Sequence, residues 1–311
     1  MADTPIRTRP PAAHDTDLIV VGGGPAGCAA ARMAASVGMR SILIEPDSLC
    51  RNLHRIGALN NVLGGHTSGP ALADAITAEL ESTESCRLEL GRRVVALGAG
   101  DDRVTATLDS GRRLTAPYAV VATGVGPLQP GDVPWITASG GLTLPPLWEA
   151  DGDDTEGRAL LVLGGDRPIG TFLRAHPDTG TRLLVAYPEA DAYKIEEIRD
   201  DPRVTLLPVS HLTLGVSGAG AVTADLVIRH GARRTVTADA VYLSVGSAPV
   251  APAGDLVREA DGYCPPGAQH PRITVAGDLR SARFQRVMTA MGSGGEAALR
   301  AYYAARELPV G

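Results

Sequence analysis

Asp17-Leu-Ile-Val-Val-Gly22-Gly-Gly24-Pro-Ala-Gly27 is the stretch on which the fold turns. Leu18 to Val21 is a short apolar, largely β-branched run, the composition of a buried strand, and Cys28 to Ser36 is rich in alanine, the composition of a helix. Between them the glycines stand in the order that G-x-G-x-x-G requires: strand, turn, helix. Gly22 permits the tight turn, Gly24 lets the backbone approach a pyrophosphate, and Gly27 lets the helix pack close to its strand. Pro25 and Ala26 open the helix, whose first N–H groups are suited to phosphate. After that helix a second strand, Arg40-Ser-Ile-Leu-Ile-Glu45, ends in a carboxylate at the position expected to hydrogen-bond an adenosine ribose.

Further along, Ala119-Val-Val-Ala122-Thr123-Gly124 reads as a buried strand ending at a small-residue turn, and Ile273-Thr-Val-Ala-Gly277-Asp278 repeats that design. The 311 residues, 44% hydrophobic and 21% charged, are enough for two domains. A formal charge of −6 and the lack of Lys/Arg runs argue against a nucleic-acid or anionic-lipid surface and direct attention to small molecules. The most apolar early stretch, Leu18 to Val37, is broken by Gly22, Gly23, Gly24, Pro25 and Gly27, which argues against a membrane span. The polar, proline-bearing start has no signal-peptide pattern, and residues 1–15 read as a flexible tail of a cytoplasmic protein. The 4 cysteines, Cys28, Cys50, Cys86 and Cys264, form no C-x-x-C pair and suggest neither a disulfide framework nor a metal site.

The three glycine-bearing strand ends, in this order, resemble the thioredoxin-reductase-like flavoproteins, in which an FAD domain is split in sequence by an inserted pyridine-nucleotide domain. Asn61-Val-Leu-Gly64 with Ser68-Gly69-Pro70-Ala-Leu72 looks like that family's stretch along the flavin, and Val245-Gly246-Ser-Ala-Pro249 looks like its return crossing. Gln285 to Tyr303, with Ala290, Gly292, Gly294 and Ala297-Ala298, resembles its terminal flavin-contacting helix. The resemblance implies an α/β fold of two Rossmann-like three-layer domains. Residues 16–128 and 250–311 would bind FAD, and residues 129–249 would form the inserted, degenerate NAD(P)H-binding-like domain. It also implies a homodimer, an Asp278 bonded to the FAD ribityl chain or phosphate, and a helix beginning near Gln285 aimed at the flavin pyrimidine edge, where its positive end favours reduced flavin.

Two departures limit what the resemblance carries. In Arg158-Ala-Leu-Leu-Val-Leu-Gly164-Gly165-Asp166-Arg167-Pro168-Ile169-Gly170, a second dinucleotide motif starts, but Asp166 takes the third-glycine slot and would stand against a pyrophosphate. Asp166 followed by Pro168 suggests instead an N-cap and first turn. The next strand ends in Tyr187-Pro-Glu189 and not in the family's His-Arg-Arg, so no arginine is present to clamp the extra phosphate of NADPH. NADPH is thus disfavoured, whereas Glu189 leaves an NADH ribose open, as it does a plain exposed glutamate. The second departure is that Pro130 to Gly157, where the family places its C-x-x-C, has no cysteine, and dithiol exchange needs an attacking and a resolving thiol.

Alignment of Asn61 with the family's flavin-adjacent asparagine puts Cys50-Arg51-Asn52-Leu53-His54 along the isoalloxazine. There Asn52 is a flavin contact and His54 the candidate acid/base, imidazole being the side chain suited to proton transfer near neutrality; the alternative is a histidine bonded to FAD or backbone. Cys50 is either a thiol able to attack flavin or disulfide, or a packed one. Arg51 reads equally as a ligand of substrate carboxylate or of FAD phosphate, and His66 as a loop histidine. The expectation is an FAD oxidoreductase, oxidising a small molecule and reoxidised by oxygen or another acceptor. The alternatives are an NAD(P)H-dependent reductase with a degraded nicotinamide site and a flavoprotein without catalysis.

Overall fold

A computed structural model describes residues 15–138, 142–216, 221–228 and 231–308. The chain forms two compact units: Met1–Cys50, Ile76–Gly124 and Ala251–Gly311 make the first, and Arg51–Ala75 and Val125–Val250 the second. The boundaries expected from the sequence, at 128 and 250, lie within a few residues of these. Residues 51–75, expected in the first unit, pack with the second.

In the first unit, β1 (Leu18–Val21) is the centre of a five-stranded parallel sheet, between β2 (Ser41–Glu45) and the strand Tyr118–Val121. Cys86–Leu90 lies outside β2, and Ile273–Val275 lies outside Tyr118–Val121. All four residues of β1 are at most 2% exposed, as expected of a parallel strand covered on both faces. Ile19, Val21, Ile42 and Ile44 point to one face and pack on an antiparallel meander, Val94–Ala99, Val104–Leu108 and Arg113–Ala116. The other face, presenting Leu18, Val20 and Leu43, is covered by α1 (Pro25–Ser36) and the helix Val287–Ala305. These two helices meet through small residues: a Cβ at Gly294 would stand 1.9 Å from the Ala26 carbonyl oxygen. Residues 1–14 of the expected tail lie outside the described residues, but Asp15 is fixed. Its carboxylate accepts the Thr115 N–H at 2.7 Å and its N–H donates to the Thr115 carbonyl at 3.1 Å.

The second unit repeats the three-layer design. Its parallel sheet has the order Val204–Val209, Arg182–Pro188, Ala159–Leu163, Ala240–Leu243. Leu160, Val162, Leu183 and Val185 pack on Ile169, Phe172 and Leu173 of the helix Pro168–Ala175. Leu161, Leu163 and Ala186 pack on an antiparallel sheet through Leu212, Leu214, Ala224, Leu226, Val236 and Ala238. Among the described residues, no helix is long and apolar enough to cross a membrane.

Candidate dinucleotide site

The turn after β1 has the shape the glycines imply. Gly22 has φ +101°, and a Cβ there would lie 2.5 Å from the Ala122 carbonyl oxygen. A Cβ at Gly27 would lie 1.8 Å from the Gly22 carbonyl oxygen, so the helix can approach its own strand only without one. At Gly24 a Cβ would meet nothing within 4 Å, so the side of the turn offered to a ligand is open. Gly24 is also the N-cap of α1, in extended conformation and with no side-chain cap, and Pro25 follows in the first turn. The first N–H groups of the helix are therefore not capped by a side chain of the turn. Glu45 closes β2 as expected, but its carboxylate is already engaged: one oxygen accepts the Gly23 N–H at 2.6 Å, the other the Asp47 N–H at 3.1 Å. An ionised carboxylate has about four acceptor positions, so ribose hydroxyls still find room there.

The ends of the two neighbouring strands carry polar groups that lack partners. Ala122 bonds back to Val21, and the hydroxyl of Thr123 beyond it is buried with no hydrogen bond. Gly124 then turns at φ +66° into open space. Gly277, at φ +69°, packs on Ala26 and donates its N–H to Ser293 Oγ at 2.8 Å. Burial pushes the Asp278 carboxyl up to about 6, and the Arg280 guanidinium draws it partly back. Arg280 has a buried Nε with no partner. A buried hydroxyl and a buried guanidinium nitrogen without partners are groups that a polar ligand would satisfy.

The terminal helix begins at Val287, two residues later than Gln285, with Arg286 as N-cap. Gln285 is a strut: its amide donates to Tyr263 Oη, to the Asp278 carbonyl and to the Ser281 carbonyl. Ala290 is buried on that helix. Gly294, named from the sequence, and Ser293, which sequence reasoning does not single out, fix it to α1 and to Gly277. Their signal is the small-residue spacing of the helix. Arg280, two residues after Asp278, also escapes the sequence reasoning.

Other residues named from the sequence belong to the second unit. Asn52, His54 and Asn61 are exposed; His54 sits on the short turn Leu53–Arg55. Their segment is tied together by Leu59 N–H to Thr67 O at 2.7 Å and Gly69 N–H to Ile56 O at 2.7 Å. Arg55 pairs with Glu149 at 2.7 Å. Cys50 is the last residue of the first unit's opening segment and is 1% exposed. Among the described residues, no group of three His, Cys, Asp or Glu is placed to hold a metal ion.

The second glycine turn keeps its entry but not its mouth. Gly164 has φ +97° and a Cβ there would lie 2.2 Å from the Ser244 carbonyl oxygen. Asp166 follows, half-buried, and is not the expected N-cap. That position belongs to Arg167, because the Asp166 backbone is bonded to Ser244: its N–H donates to the Ser244 carbonyl at 3.1 Å and its carbonyl accepts the Ser244 hydroxyl at 3.1 Å. Gly170 faces Glu197, whose carboxylate pairs with Arg174, and Glu189 is exposed.

Residues 16–165 match the model of the pyridine nucleotide-disulphide oxidoreductase family. One component of the alkyl hydroperoxide reductase of Pseudomonas putida is 25% identical over 306 residues, covering 92% of this chain and 57% of that protein. The chain thus spans little more than half the length of that relative. A ferredoxin–NADP reductase of Salinispora tropica is 27% identical over 242 residues, covering 75% of this chain and 74% of that protein. Among solved structures, thioredoxin reductases of Lactococcus lactis and T. acidophilum superpose with TM-scores of 0.78 and 0.77 at 19% and 18% identity, covering 94% of this chain and 100% of theirs. The chain therefore has the fold of the thioredoxin reductases, two Rossmann-like units of which the second interrupts the first.

Proposed function

We propose that the chain is an FAD-dependent oxidoreductase that takes electrons from a small molecule and passes them to oxygen or another acceptor, without dithiol exchange. The observation that carries this reading is the open cradle at Gly24, together with the unpartnered Thr123 hydroxyl and the half-buried Asp278 at the ends of neighbouring strands. These groups fit a dinucleotide: the uncapped start of α1 takes the pyrophosphate, Glu45 the adenosine ribose, and Asp278 a hydroxyl of the ribityl chain. Bound FAD supplies hydride and electron transfer, and the protein supplies position and electrostatics. The start of the helix Val287–Ala305 presents N–H groups that favour negative charge on the ligand next to it. A small-molecule substrate suits the net charge of −6; action in the cytoplasm and as a homodimer completes the proposal.

Asp166 in the third-glycine slot argues against NADPH as donor, since a carboxylate there would stand against a pyrophosphate. Anaerobic mixing tests this: slow, unsaturable flavin reduction by NADPH is the expected result, and a fast saturable phase would refute it. A second reading, an NAD(P)H-dependent reductase, is supported by the retained turn at Gly164 and by the reductase names of the similar proteins. Rapid bleaching by NADH alone would favour it and give Glu189 the ribose.

A further inference from the structure

Two sulfurs lie together behind the first glycine turn. Cys28, in the first turn of α1, and Cys50, after β2, are 2% and 1% exposed, with their Sγ atoms 3.9 Å apart. Both are hung on one carbonyl: Cys28 Sγ–H donates to Gly23 O at 3.2 Å, and Cys50 N–H donates to the same oxygen at 2.8 Å. The spacing of the cysteines in sequence gives no sign of this, because 22 residues and a strand separate them.

We propose that Cys28 and Cys50 are an oxidisable thiol pair, which a hydroperoxide closes to a disulfide joining α1 to the loop after β2. A disulfide needs an S–S distance of about 2.05 Å, so the sulfurs must approach by about 2 Å, a side-chain rotation with a small backbone shift. The segment able to supply that shift is the loop at Cys50, which has a left-handed φ of +53°, a conformation unfavourable for a residue with a β-carbon. Cys28, by contrast, is held within a helix that packs on the sheet.

The order of events follows from the hydrogen bonds. The contact with Cys50 and burial hold the Cys28 thiol protonated, far above the ordinary thiol range. The Cys28 thiol is also tied to the Gly23 carbonyl within a packed helix, whereas Cys50 lies on the loop able to move, so Cys50 is the attacking sulfur and Cys28 the resolving one. Cys50 sulfur bonds to the terminal peroxide oxygen as its proton leaves, the O–O bond breaks, and the alcohol departs, giving a sulfenic acid. Cys28 sulfur then displaces that hydroxyl, which leaves with the thiol proton as water. Two thiols and one hydroperoxide thus give one disulfide, one alcohol and one water. The sulfurs being buried, the reaction waits on local opening of the turn and is slower than at an exposed thiol.

The test is peptide mapping of the purified protein, as isolated, after hydrogen peroxide and alkylation of remaining thiols. Trypsin cuts after Arg32, Arg40 and Arg51, which places the two cysteines in separate peptides. The expected product is the linked pair, about 2 Da lighter than the two reduced peptides and reversed by a dithiol. Cys264, buried with no second sulfur in contact, is the internal control and should be oxidised at least about tenfold less. In Cys28→Ser, dimedone should trap Cys50 as its sulfenic acid, with no linked peptide. Recovery of Cys28 and Cys50 as free thiols to the same extent as Cys264 would overturn the proposal, as would linkage of either to Cys86. The wild-type map decides the matter even where the variant folds poorly.

Discussion

Asp278→Asn should remove a pH-dependent contribution to the stability of the flavin-free protein. The carboxyl is raised from 3.8 to about 6 by burial, with Arg280 opposing. A folded state that holds its proton more tightly than the unfolded chain is stabilised at low pH. The contribution is full below about 3.8 and is lost as pH rises through about 6. Over that window the shift corresponds to at most about 3 kcal/mol, and partial solvent access at Asp278 lowers it. Other carboxylates titrate too, so the quantity to measure is the difference between wild type and Asp278→Asn, by urea unfolding of both flavin-free proteins across the acid range. Wild type should lose about 2 kcal/mol relative to the variant between about pH 4 and pH 7. A difference that does not change with pH, or one that changes in the opposite direction, would refute the burial argument. The same substitution should weaken FAD retention, because an amide bonds a ribityl hydroxyl less strongly than a carboxylate.

Gly27→Ala should lower stability by more than about 3 kcal/mol or abolish folding, since its Cβ would lie 1.8 Å from the Gly22 oxygen; denaturant melts measure it. Gly24→Asp, with open space around it, should fold and yet lose FAD, as read from the protein-to-flavin absorbance ratio; a folded variant with full FAD content would remove the cradle from Gly24.

What is legible in the sequence is what is settled locally or by period. The turn Gly22 to Gly27 is legible because Gly22 and Gly27 answer contacts at the neighbouring strand end or within a few residues, and Glu45 because it ends the adjacent strand. The N-cap of Pro168–Ala175 is misread from sequence because Asp166 has local cap chemistry, but its backbone is used by Ser244, far along the chain. The antiparallel sheet of the second unit does leave a signal in the sequence. Leu212 and Leu214, Ala224 and Leu226, and Val236 and Ala238 alternate with outward residues at period two. Residues 51–75 carry no periodicity that chooses between the units; the choice rests on contacts such as Arg55–Glu149.

The crossing of Gly294 on Ala26 bears on the order in which the molecule is made. The first unit's sheet lacks its strand Ile273–Val275 and its covering helix until the chain has been synthesised almost to Ala305, although β1 and α1 emerge first. The second unit's parallel sheet is complete by Leu243. On a ribosome the inserted unit has its parallel sheet complete while one face of the first sheet is only partly covered, with α1 over β1 and β2 but the strand Tyr118–Val121 awaiting the last helix. Closing that long loop is the slow, entropically costly step, and a chain cut short before the terminal helix would expose apolar sheet to aggregation.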